Sequence, residues 1–164
     1  MKKIAFFLLL FSSLLTGFSQ TQKPAAPSIV SYGAPISLSQ AEKMMTAAIL
    51  EATNNGWTMA IAIVDTGGNL VSFRRMDNTQ IGSVDVAIGK ATTANNFKRP
   101  TKVFEDLVAN GGVGLRILSL PGAVPLEGGE PILFQGKIIG GIGVSGMQSG
   151  QDAQVAHAGL NALN

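Results

Sequence analysis

The chain has no cysteine and a single histidine, His157, among its 164 residues. The first absence excludes disulfides and a lipid anchor attached through cysteine, so the folded protein has to be held by its core. The second excludes a metal centre built from several histidines of one chain. Charge is scarce as well. Asp, Glu, Lys and Arg make up 13% of the residues, against roughly 25% in average globular chains. A surface with so little charge does little to keep copies apart, which favours a homo-oligomer that buries apolar surface. The formal net charge of +2 rests on Lys2 and Lys3, and without them the basic and acidic residues balance. With no basic excess and no basic-aromatic clustering, a nucleic-acid partner is not expected.

Lys2 and Lys3 precede an apolar run from Ile4 to Leu15, and small or polar residues follow at Thr16, Gly17, Ser19 and Gln20. This is the layout of a secretory signal peptide over residues 1–20, with periplasmic or extracellular delivery as its consequence. The run is shorter than the roughly 20 apolar residues of a spanning helix, so no stable membrane anchor is expected. About 144 residues would remain, enough for one domain with a sizeable core. Residues 21–35 carry Pro24, Pro27 and Pro35 among small residues and read as an extended tether, with the domain proper running over 36–164.

The centre of the chain is Trp57 to Asp77. An apolar run to Val64, the turn residues Asp65-Thr66-Gly67-Gly68-Asn69 and a second apolar run from Leu70 to Phe73 read as a β-hairpin with a loop of about five residues. Before it, Ser37 with Gln40, or Ser39 with Glu42, offers a capping box. Ala41, Met44, Met45, Ala48, Ile49 and Ala52 follow at helical spacing. After it, Gln80 to Phe97 places Ile81, Val84, Ala87, Ile88, Ala91 and Ala94 on one helical face. Thr101 reads as the cap of a short helix to Asn110 with Val103, Phe104, Leu107 and Val108 buried. Val113 to Leu120 is open between a helical turn and a strand. Ala123 to Leu126 reads as a short edge strand around Pro125. Ile132 to Phe134 and Lys137 to Val144 form a second hairpin. Gly140, Gly141 and Gly143 thin its last strand where a backbone, helix or ligand comes close. Gln151 to Leu163 closes the chain as a helix, with Asp152 in its first turn. Helices alternating with hairpins give an α+β domain with an antiparallel sheet.

Four segments in this order, VDTGGNLVSFRRMD, SVDVAIGKATTANNFKRPT, GGEPI and GKIIGGIGVSG, resemble the GlcG/HbpS family of haem-binding proteins over roughly Ser37 to Leu163. The resemblance implies a profilin-like three-layer α/β/α arrangement around a five-stranded antiparallel sheet. It also implies that haem or a related tetrapyrrole is the ligand, held for sensing, storage or degradation. Relatives carry histidine or arginine after the Gly-Gly turn, where this chain has Asn69.

On that reading His157 is an axial haem ligand or lies at a subunit interface that a haem shares; otherwise it is an exposed residue of the last helix. Arg75, Lys90 and Arg99, with Arg74 and Lys98 beside them, are cations suited to haem propionates or to a small acid. Alternatively Arg75 pairs with Asp77 or Asp85. Glu127 and Glu130 flank Gly128-Gly129 and read as solvated loop residues, as an acid/base pair or as ligands of a metal. A rival reading is an enzyme acting on a small carboxylate metabolite, with Arg75 or Arg99 orienting the acid and Glu130 or Asp65 moving a proton. A third is a non-catalytic oligomeric binding module. Tyr32 is a further oxygen donor for a haem iron if His157 is not the ligand.

Overall fold

The computed structural model describes residues 30–163. The expected leader and the first part of the proline-bearing stretch lie outside them. Ser37 starts helix α1 (Leu38–Asn54) with the first of the two expected capping boxes. Its hydroxyl accepts the Gln40 N–H at 3.2 Å, and the Gln40 side chain accepts the Ser37 N–H at 3.0 Å. Ala41, Met44, Met45, Ala48 and Ala52 form the buried stripe, as their spacing requires. Gly56, at φ 69°, then turns the chain into the sheet.

Strands β1 (Ala60–Asp65) and β2 (Leu70–Arg75) form the first hairpin, and β3 (Gly129–Phe134) and β4 (Lys137–Ser145) the second. The sheet order is β2-β1-β4-β3, antiparallel throughout. Helices α1 and α4 (Ser149–Leu163) cover one face, against Ile61, Ile63, Ile132, Ile142 and Val144. Helix α2 (Ser83–Phe97) covers the other, with Ala87 and Ala91 packed on Ala60, Ala62 and Val64. This is the three-layer α+β arrangement. Two of the glycines of β4 are there for α2. A Cβ on Gly141 would lie 2.3 Å from the Ala91 carbonyl oxygen, and one on Gly143 would lie 2.1 Å from that of Ala87.

The expected fifth strand is absent among the described residues, where the sheet has four. Ala123 to Leu126 forms no ladder. The Val124 N–H is taken by the Thr93 hydroxyl at 2.9 Å, and the Glu127 N–H by the Glu105 carboxylate. Side chains thus take the bonds a strand partner would need. Instead, Ser31 to Ile36 lies along β4 where β1 has ended. The Ile138 N–H bonds the Ser31 carbonyl at 3.0 Å, and the Gly33 and Ile36 N–H groups bond Ile138 and Ile139 carbonyls at 2.7 and 2.8 Å. The contact is a single parallel bridge, Tyr32 to Ile138.

Helix α3 (Thr101–Ala109) begins after Pro100 with no side-chain cap, because the Thr101 hydroxyl is used elsewhere, accepting the Gly129 N–H at 2.9 Å. Phe104 is buried, but Val103 and Leu107 are exposed. The ambiguous segment after it is a 3-10 helix, Gly112–Ser119, which adds exposed Val113, Leu115 and Leu118 to the same apolar surface.

Candidate functional site

Glu130 shares its side of β3 with Ile132, so it faces α4. There it meets His157, and the imidazole Nε2 stands 3.3 Å from Glu130 Oε1. The two side chains differ in exposure, with 57% of the His157 side chain accessible against 11% of that of Glu130. Burial pushes the Glu130 carboxyl above the usual carboxylate range, His157 opposes the shift and Glu127 adds to it. One turn earlier on α4, Gln154 donates to the Glu51 carboxylate at 2.6 Å. Glu51, Glu127, Gln154, His157 and Asn161 thereby line a cavity of about 440 Å³. Its chemistry is that of an exposed imidazole in an acidic, amide-rich wall. Among the described residues no three metal-binding side chains come together.

The other candidate residues are dispersed. Arg75 is exposed at the end of edge strand β2, and no carboxylate pairs with it among the described residues. Its neighbour Arg74 bridges to Glu42 at 3.0 Å. Glu130 is on the opposite edge strand, with β1 and β4 between them. Arg99 follows α2, bonds the Phe97 carbonyl at 3.1 Å and lies over the Phe104 ring at 5.7 Å. Asp65 closes the first hairpin: one oxygen accepts the Gly67 and Asn69 N–H groups at 2.8 and 2.9 Å. The Asn69 amide foremost holds its carboxyl below the usual range, which suits a turn anchor better than a proton carrier. The constellation imagined for a carboxylate-transforming enzyme, Arg75 or Arg99 beside Glu130 or Asp65, is therefore not assembled. Tyr32 donates its hydroxyl to the Asn95 carbonyl at 2.8 Å, and the Lys98 ammonium sits 4.4 Å over its ring.

Lys90 departs furthest from expectation. As a cation for propionates it would stand in solvent, yet it is 2% exposed. Its ammonium bonds Asp152 at 2.8 Å and the Val144 carbonyl at 2.9 Å. The pair joins α2 to α4, the two outer layers, past the end of the sheet. Two signals for it lie in the sequence. Lys90 falls in the α2 stripe of Ala87, Ala91 and Ala94, and Asp152 in the α4 stripe of Val155, Ala156 and Gly159, so each buried face carries one complementary charge. Gly128, at φ 115°, makes room, since a Cβ there would sit 2.7 Å from Asp152 Cβ and 3.0 Å from the Lys90 ammonium.

Comparison with known proteins gives a consistent picture. A family model described as haem degrading protein HbpS-like matches residues 36–161. Protein GlcG of Escherichia coli K12 is 38% identical over 110 residues, covering 67% of this chain and 81% of the relative. A glutamate-to-aspartate double mutant of Streptomyces reticuli HbpS superposes with a TM-score of 0.73 at 32% identity, over 86% of this chain and 99% of the other. A PduOC:heme complex superposes with a TM-score of 0.73 at 28% identity, over 80% and 96%.

Proposed function

The chain belongs to the HbpS-like family, and from that premise we propose that it binds haem or a related tetrapyrrole, outside the cytoplasm and as a homo-oligomer. The observation that carries the reading is His157, an exposed imidazole oriented by a carboxylate. A carboxylate on one ring nitrogen fixes the ring and strengthens the other nitrogen as a ligand. His157 is the residue that would hold the iron of such a group. The residues around it do not fit the rest of a porphyrin, because Glu51 and Glu127 repel propionates and the wall is polar. The remaining surroundings come from a second copy. The low charge and the exposed apolar surface of Val103, Leu107, Val113, Leu115 and Leu118 support such assembly. A bound haem supplies the iron chemistry; the chain's part is to present the imidazole and hold its orientation through Glu130.

The sequence pattern of residues 1–20 supports export, and no helix among the described residues is long and apolar enough to cross a membrane. The test is a haemin titration of untagged protein, followed from the Soret region into the visible. Saturable binding at a fixed stoichiometry is expected, with ligation bands that His157→Ala weakens or shifts. Non-saturating binding, or a spectrum indifferent to His157→Ala, overturns the assignment.

A further inference from the structure

Two of the segments that carry the family resemblance meet, with the start of α4, at a second cavity, of about 380 Å³, which shares no lining residue with that of His157. Ser83 and Lys90 come from the start and middle of α2, Ser145 from the end of β4 and Asp152 from α4. All four are buried. The hydrogen bonds leave a definite remainder. An ammonium has three N–H groups, and Lys90 gives one to Asp152 and one to Val144. The Ser83 hydroxyl oxygen accepts from Ser145 at 3.1 Å and from the Gln80 amide at 3.0 Å, and its own proton has no acceptor among the described residues. Asp152 is in turn engaged by Lys90 and by the Met147 N–H at 3.1 Å. Two donors, one of them cationic, are therefore left uncommitted in side chains 1% and 2% exposed that border one cavity. A buried donor without an acceptor is costly, and oxygen acceptors from outside the chain relieve that cost.

We propose that this cavity is a binding site for a compact carboxylate with a short apolar tail, one oxygen taking the third N–H of Lys90 and the other the hydroxyl proton of Ser83. A carboxylate matches the two donors with two oxygens and gains a charge-assisted bond to the ammonium. Val86, Leu126 and Met147 on the same lining receive the tail. Asp152 keeps the site close to neutral, so the occupant is selected by hydrogen bonds and size more than by charge. The site makes no use of His157 and stands whether or not haem binds.

The test is a titration of isotope-labelled, untagged protein with propionate, pyruvate and lactate, followed by amide chemical shifts, with inorganic phosphate as the competing anion. Saturable shifts centred on the amides of Ser83, Lys90 and Ser145 are expected for the acids and not for phosphate. Ser83→Ala should weaken binding about tenfold, the loss of one hydrogen bond. Val86→Phe fills the cavity while leaving both charges of the ion pair in place, and should abolish binding in a protein whose spectrum remains folded. His157→Ala should leave the affinity unchanged. Absence of shifts at these amides at tens of millimolar acid overturns the proposal. So does phosphate binding as well as the acids, or an affinity indifferent to both Ser83→Ala and Val86→Phe.

Discussion

The start and the middle of α4 carry opposite solutions to placing a base beside an acid. At His157 the partners are unequal, an exposed imidazole resting on a buried Glu130, with the contact at 3.3 Å and solvent on one side. At Asp152 both partners are buried, the contact is 2.8 Å, and one backbone group bonds each partner. The first arrangement needs only two side chains on facing elements. The second needs the backbone cleared around it, which is why Gly128 and Gly129 stand where they do. A Cβ on Gly129 would lie 2.4 Å from the Lys90 carbonyl oxygen. The difference separates a base held out to solvent from a pair that fixes how the layers meet.

The largest effects are expected where backbone meets backbone. Gly143→Ala drives a methyl group to 2.1 Å from the Ala87 carbonyl oxygen. Neither partner is a flexible side-chain end, so α2 must lift from the sheet; a loss of about 3 kcal/mol or more, or no folded protein, should appear in denaturant titrations. Asp152→Ala strands the Lys90 ammonium in the interior and should cost about 3–5 kcal/mol, whereas Lys90→Met with Asp152→Leu together should recover most of it. A double variant no more stable than the single one would show that the pair is held by something other than mutual compensation. The smallest effect is expected at Glu130. Because burial raises its carboxyl in the folded state, the native protein keeps that proton to a higher pH than the unfolded chain does. Its contribution is present in full below the unfolded value and is lost as pH rises through the folded one. Glu130→Gln should therefore flatten stability against pH between the ordinary glutamate range and the raised one, and stabilise the protein slightly at neutral pH. An unchanged slope in pH-dependent denaturation would mean that another group titrates there.

Local rules made much of this fold readable. The Ser37 and Gln40 box, the turn at Asp65 to Asn69 and the thinned strand at Gly140 to Gly143 each announce themselves within a few residues, and each is where it was expected. What escaped depended on partners far along the chain. Lys90 reads as a surface cation until Asp152, 62 positions away, is known to be its partner. Thr101 reads as a cap until Gly129 claims its hydroxyl, and Ala123 to Leu126 reads as a strand until Thr93 takes the Val124 amide and Glu105 that of Glu127 just after it. The alanine stripe of α2 and the apolar stripe of α4 each held one misplaced charge, and matching those two was the available clue. The exposure of Val103 and Leu107 had no such clue, because an amphipathic pattern does not say whether its apolar face is covered by the same chain.

Strand β1 is apolar on both faces and buried along nearly its whole length, yet it pairs on one side with its neighbour in sequence and on the other with β4, close to the end of the chain. The first hairpin can form early, but it then offers a bare row of amides and carbonyls on its inner side. That row is closed only once Lys137 to Ser145 has been made, and the Lys90–Asp152 lock follows later still. Long-range pairing of this kind slows folding. For a chain proposed to cross a membrane before it folds, the delay keeps the polypeptide open enough to be threaded through, and makes the nascent hairpin the part most in need of a chaperone.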